Sequence, residues 1–164
     1  MRTIGIIGGL SWLSTIDYYR AINEQINQRL GGVQAGKIII YSLNFGDIKE
    51  LTMRNDWPAM TELVCDAAKK LQQTGADCIL IGANTMHKIA SEVQQAVTIP
   101  LIHVAEVTAS AVQEQQLKKV ALLGTKFTME LGFYPDALRK YGIETIIPIE
   151  EDREYIHVTI YNEL

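Results

Sequence analysis

Five strand-length apolar runs, each followed by a segment of helical periodicity, constrain this chain more than any other feature. The first is Thr3-Ile4-Gly5-Ile6-Ile7 ahead of 14–30; the runs 37–42, 77–81, 100–103 and 119–123 precede 57–74, 85–97, 104–116 and 127–141. The runs are continuous in Ile, Leu and Val, where a strand with one wet face would alternate, so they read as strands buried on both faces. Strand then helix, repeated, predicts an α/β fold: a flavodoxin-like parallel sheet with helices on both faces. Helix punctuation agrees, since Ser14 and Thr15 open the first helix, Gly31-Gly32 close it, Pro58 stands near the start of the second and Gly75 follows its end. Proline cannot continue a helix, so Thr98-Ile99-Pro100 marks a crossover, and the expected halves are 1–98 and 99–164.

An internal likeness bears on the second half. Arg2-Thr3-Ile4-Gly5-Ile6-Ile7-Gly8-Gly9 resembles Lys118-Lys119-Val120-Ala121-Leu122-Leu123-Gly124-Thr125 at an offset of 116 residues, and hydroxyl residues able to open a helix follow each. Either a βα start is duplicated, giving two pseudo-symmetric halves, or buried parallel strands simply look alike. On the first reading the counterpart of the 82–85 turn falls near position 199, past Leu164, so the second half is expected to be truncated.

Charge and cysteine usage remove several function classes. Fifteen Lys and Arg against 19 Asp and Glu give a net charge of -4, the wrong sign for a nucleic-acid binder. No apolar stretch approaches the roughly 20 residues that cross a bilayer, so no membrane partner is expected. Cys65 and Cys78 lie outside any CxxC or Cys/His cluster, and no basic segment precedes an apolar one at the N-terminus. Neither zinc nor secretion is indicated; the expectation is a cytoplasmic protein with reduced, structural thiols.

In open parallel sheets ligands bind outside the carboxyl ends of the strands, which directs attention to three turns. Gly8-Gly9-Leu10-Ser11-Trp12-Leu13-Ser14-Thr15 pairs glycines that allow close backbone approach with hydroxyls that can cap a helix or meet an anion. Its glycine spacing fits neither a dinucleotide fingerprint nor a Walker A loop. Gly82-Ala83-Asn84-Thr85-Met86-His87 and Gly124-Thr125-Lys126-Phe127-Thr128 also offer small polar donors suited to a carboxylate, although capping alone would explain Asn84, Thr85 or Thr125. All three turns are expected on one edge of one sheet. His87, His103 and His157 read as satisfied, partly buried residues, and Arg54 as a surface residue able to clamp a carboxylate.

The motifs Gly5-Ile6-Ile7-Gly8-Gly9-Leu10-Ser11-Trp12-x-Ser14-Thr15-Ile16-x-Tyr18-Tyr19, Gly82-Ala83-Asn84-Thr85-Met86-His87-Lys88 and Leu122-Leu123-Gly124-Thr125-x-x-Thr128-Met129-Glu130 together resemble the aspartate/glutamate racemase family. The resemblance spans the whole chain. It implies a cofactor-independent amino-acid racemase of two pseudo-symmetric α/β halves, in which two cysteines work on opposite faces of the substrate Cα, one accepting and one donating a proton. At the first cysteine's place this chain has Ala83, which carries no acid or base; the second would fall near 199, so both catalytic thiols are absent from these 164 residues. Carried over residue by residue, the resemblance makes Asn84, Thr85, Thr125 and Thr128 donors to the substrate carboxylate, lines the pocket with Ser11 and offers Arg54 for a distal carboxylate.

Three functions follow as expectations: a racemase scaffold of the aspartate/glutamate type, a non-catalytic module binding a small carboxylate, or an isomerase or lyase acting on a diacid. All take a small amino acid or dicarboxylate as partner. No nucleotide, metal or pyridoxal phosphate is implied, and a homodimer is expected.

Overall fold

A computed structural model describes residues 1–163. The chain divides into two compact units, Met1–Ile102 and His103–Leu164. The first holds a four-stranded parallel sheet in the order β2-β1-β3-β4, built from β1 (Thr3–Gly8), β2 (Lys37–Ser42), β3 (Cys78–Ile81) and β4 (Leu101–Ile102). β1 is its most buried strand: Ile6 and Ile7 are fully buried, and β1 pairs with β2 on one side and β3 on the other. Helix α1 (Trp12–Leu30) makes the first crossover, and α2 (Phe45–Met53) followed by α3 (Trp57–Gln73) makes the second. Met60, Val64, Ala67, Ala68 and Leu71 recur at helical spacing along α3 and bury against Ile7, Ile79 and Ile81. A 3₁₀ turn, Thr85–Ile89, and α4 (Ala90–Ala96) lead into β4.

The second unit starts with α5 (Val104–Glu114) and has its own two-stranded parallel sheet of β5 (Lys119–Ala121) and β6 (Glu144–Ile146). Between these strands run α6 (Lys126–Glu130) and α7 (Phe133–Lys140), and α8 (Glu150–Glu163) follows β6. Small clusters hold it together, Ala105 with Tyr134 and Ala137, and Ala109 with Leu138 and Ile143.

The α/β class and the parallel strands match the sequence expectation, with four departures. Burial on both faces, expected of every run, fails for β2, an edge strand whose Ile40 is 39% exposed, and for β5, where only Val120 is partly buried. The five foreseen strands do not form one sheet: β4 hydrogen-bonds to β3, and among the described residues β5 pairs only with the unforeseen β6. Helix α2 was not expected; Asn44 starts it by accepting from the Gly46 N–H at 3.2 Å and donating to Asp47 at 2.9 Å. The single helix expected over 127–141 is two, because Gly132 adopts φ +82, a left-handed conformation that no α-helix accommodates.

Candidate functional site

The strand order places a topological switch point between β1 and β3, from which the chain crosses in opposite directions, and this crevice is where doubly wound sheets hold ligands. Two of the three predicted turns leave the sheet there. They start side by side: the Gly82 N–H donates at 2.9 Å to the carbonyl of Ile7, near the end of β1, and a Cβ on Gly82 would lie 3.8 Å from the Gly8 Cα.

The first turn is drawn tight by Thr15, one of the few buried polar residues. Its hydroxyl accepts from the Gly9 N–H at 2.9 Å and donates to the Ser11 carbonyl at 3.1 Å. Gly8 and Gly9 are required by contact: a Cβ on Gly8 would lie 2.7 Å from the Thr15 methyl, and one on Gly9 1.9 Å from the Leu43 carbonyl oxygen. Ser11 occupies the N-cap of α1 in an extended conformation, yet its side chain makes no capping hydrogen bond. The helix therefore starts at Trp12, and Thr15, expected to open it, instead closes the loop before it.

In the second turn Ala83 is half-buried directly after Gly82, and the 3₁₀ turn follows. Asn84 has helical dihedrals and its side chain makes no capping hydrogen bond to the 3₁₀ turn. His87 is buried, with Nδ1 2.8 Å from the Ala83 carbonyl. A carbonyl oxygen only accepts, so Nδ1 carries the proton and the imidazole holds the Ala83 peptide in place.

The third turn belongs to the second unit, at the carboxyl end of β5, which corrects the expectation of three turns on one sheet edge. Here the hydroxyls are engaged with each other. Thr125 is the N-cap of α6, accepting from the Thr128 N–H at 3.3 Å, and the two hydroxyls lie 3.2 Å apart. A Cβ on Gly124 would stand 3.1 Å from Thr128, so a strand-end glycine pressed on a threonine recurs from the first unit. The register differs: Thr15 is seven residues past Gly8, and Thr128 four past Gly124.

The remaining candidates take structural places. Arg54, the residue that ends α2, is exposed and ion-paired with Glu50 of that helix. His103 accepts from the Ala105 N–H at the start of α5, and His157 accepts from the Lys126 N–H and packs against Phe127 and Tyr161. Burial raises the thiol pKa of Cys65 and Cys78, which disfavours thiolate in both. Cys78 opens β3, five residues before Ala83, about 15 Å away at strand rise. Among the described residues no cluster of three or more His, Cys, Asp or Glu could hold a metal, and no helix is long and apolar enough to cross a membrane.

The comparisons with known proteins agree on one family. The description of the Asp/Glu/Hydantoin racemase family matches residues 7–164. The chain belongs to that family. The broad-specificity amino-acid racemase RacX of Bacillus subtilis (strain 168) is 29% identical over 146 residues, covering 87% of this chain and 63% of RacX, so the chain spans under two thirds of this relative's length. Among solved structures of similar fold, a "putative Asp/Glu Racemase" from Yersinia pestis superposes with a TM-score of 0.94 at 44% identity, covering 99% of this chain and 71% of the other. An aspartate racemase homologue from Pyrococcus horikoshii OT3 superposes with a TM-score of 0.84 at 34% identity, covering 100% of this chain and 72% of that one.

Proposed function

We propose that this chain is the scaffold of an amino-acid racemase of the aspartate/glutamate type, with the substrate carboxylate at the β1/β3 switch point and Cα beside Ala83. The observation that carries the reading is the convergence of the Gly8-Gly9 and Gly82-Ala83-Asn84-Thr85 turns at that point. Asn84 and Thr85 serve as carboxylate donors, and the Ser11 turn lines the site. Thr125 and Thr128 are the corresponding donors proposed for the second unit; Arg54, paired with Glu50, is the weakest member of the set.

The reaction would move a proton off and onto Cα by two bases without a cofactor, a task that needs an acid/base group close to neutral pKa on each face. A cysteine thiol can serve; the methyl of Ala83 cannot. That one residue favours a second reading, a binding module that keeps the carboxylate donors without the proton transfer. An isomerase or lyase acting on a diacid would use the same donors.

Calorimetry with L-aspartate and with its diamide tests the donors. Losing a hydrogen bond to a buried carboxylate costs about 1.5–3 kcal/mol, so Asn84→Ala or Thr85→Val should weaken aspartate binding by roughly ten- to a hundredfold, and the diamide should bind worse than aspartate. Equal affinity for the two ligands would remove the carboxylate assignment.

Self-association into a homodimer belongs to the same proposal. Trp12, Leu13, Ile16 and Tyr19 fall on one side of α1 and are between 46% and 62% exposed, a contiguous apolar patch of the kind that marks contact surfaces. Light scattering at micromolar concentration should report a mass above that of one chain, and Ile16→Lys should lower it. A monomer throughout the concentration range would contradict the proposal.

A further inference from the structure

Lys88 is held in an unusual way on the element that follows Ala83. In a 3₁₀ helix three residues make a turn, so residues three apart share a face. Thr85 and Lys88 therefore stand on one side of the turn, while Met86, His87 and Ile89 are buried on the others. The Lys88 ammonium lies 3.6 Å from the centre of the Trp57 ring. That ring is itself fixed, its indole N–H donating to Asn55 at 2.7 Å. Trp57 opens α3, which runs back to the start of β3, so it sits at the carboxyl edge of the sheet with the 82–85 turn.

Several cations of the chain are matched with carboxylates, among them Arg54 with Glu50, Lys70 with Asp66, Lys119 with Glu144 and Lys126 with Glu154; Lys88 instead rests on an aromatic face. Among the described residues no carboxylate pairs with Lys88. An ammonium parked on an indole is oriented, positively charged and easily drawn to an anion, since an exposed cation–π contact is weaker than a charge-assisted hydrogen bond.

We propose that Lys88 is the specificity-determining cation of this site, taking the second carboxylate of a dicarboxylic ligand whose first carboxylate rests on Asn84 and Thr85. The inference depends on the carboxylate-binding reading above. It assigns to Lys88 the role that the sequence offered to Arg54. One turn of 3₁₀ helix separates Thr85 from Lys88 by about 6 Å along the axis, a spacing on the scale of a four- or five-carbon diacid.

The chain has two tryptophans, so a Trp12→Phe background leaves Trp57 as the reporter. Glutarate should change Trp57 emission as the ammonium leaves the ring, and butyrate, with one carboxylate, should bind in calorimetry without doing so. Lys88→Met should abolish the fluorescence response and lower glutarate affinity at least tenfold, to that of butyrate, with butyrate affinity unchanged; Lys88→Arg should retain the preference. A Lys88→Met loss that is equal for both ligands, or absent for both, would overturn the proposal and leave Lys88 as a brace between the 3₁₀ turn and α3. Butyrate binding without any preference for glutarate in the parent sinks this inference alone, whereas failure of both acids to bind the parent sinks the carboxylate reading with it.

Discussion

Replacing Gly9 by alanine should destabilise the first unit by about 4 kcal/mol, the sum of a left-handed backbone that a side chain resists and an overpacked contact. Gly9 has φ +73, and its new Cβ would stand 1.9 Å from the Leu43 carbonyl oxygen and 2.6 Å from the Leu43 nitrogen. Neither atom can retreat cheaply, because the Leu43 N–H donates to the Gly8 carbonyl at 2.9 Å and ties the loop after β2 to the end of β1. Gly31→Ala is the control. Its φ is +75, but nothing lies within 4 Å of the added Cβ, so only the backbone cost of about 1–2 kcal/mol applies. Urea unfolding should show the midpoint falling much further for Gly9→Ala than for Gly31→Ala, with the denaturant slope preserved. Equal losses would mean that the contact with Leu43 does not define the turn.

What the sequence disclosed follows from how many β-branched and aliphatic residues a strand gathers in one run. β1 and β3 keep no exposed residue and read as apolar runs, and the edge strand β2 was legible too, through Ile38-Ile39-Ile40, although its burial is partial. β6 is three residues, Glu144–Ile146, and its short Thr145-Ile146-Ile147 run is cut by Pro148; α8 has its apolar residues scattered around the helix rather than in a stripe. Helix α2 buries Ile48 alone, and its start was readable only from Asn44 and Asp47 as a local cap. Gly132 was a visible interruption of the 127–141 pattern, and its positive φ is the reason to give such a glycine weight.

The candidate site was legible to a similar degree. The turn 82–85 could be found because a strand of apolar residues ends abruptly in small and polar ones. Whether a hydroxyl or amide there caps a helix or faces a ligand depends on dihedral angles that the sequence does not contain. Thr125 has an extended backbone and caps α6; Asn84 has a helical one and does not cap. The contact of Lys88 with Trp57 joins residues 31 positions apart through the crossover, so no local pattern could announce it.

Position 83 decides between a racemase and a binder, and α-proton exchange in D₂O reads it directly. With L- or D-aspartate or glutamate, the 164-residue chain should show no NMR-detectable loss of the Cα proton above buffer, because Ala83 has no acid or base and burial keeps Cys65 and Cys78 as thiols. A positioned general base typically contributes 10²–10⁴-fold, so Ala83→Cys should raise exchange at least a hundredfold above that background. One thiol serves one face, so the new exchange should proceed for one enantiomer without inversion. Exchange in the parent as fast as in Ala83→Cys, or an Ala83→Cys chain that binds aspartate yet exchanges nothing, would contradict the placement of Cα beside residue 83.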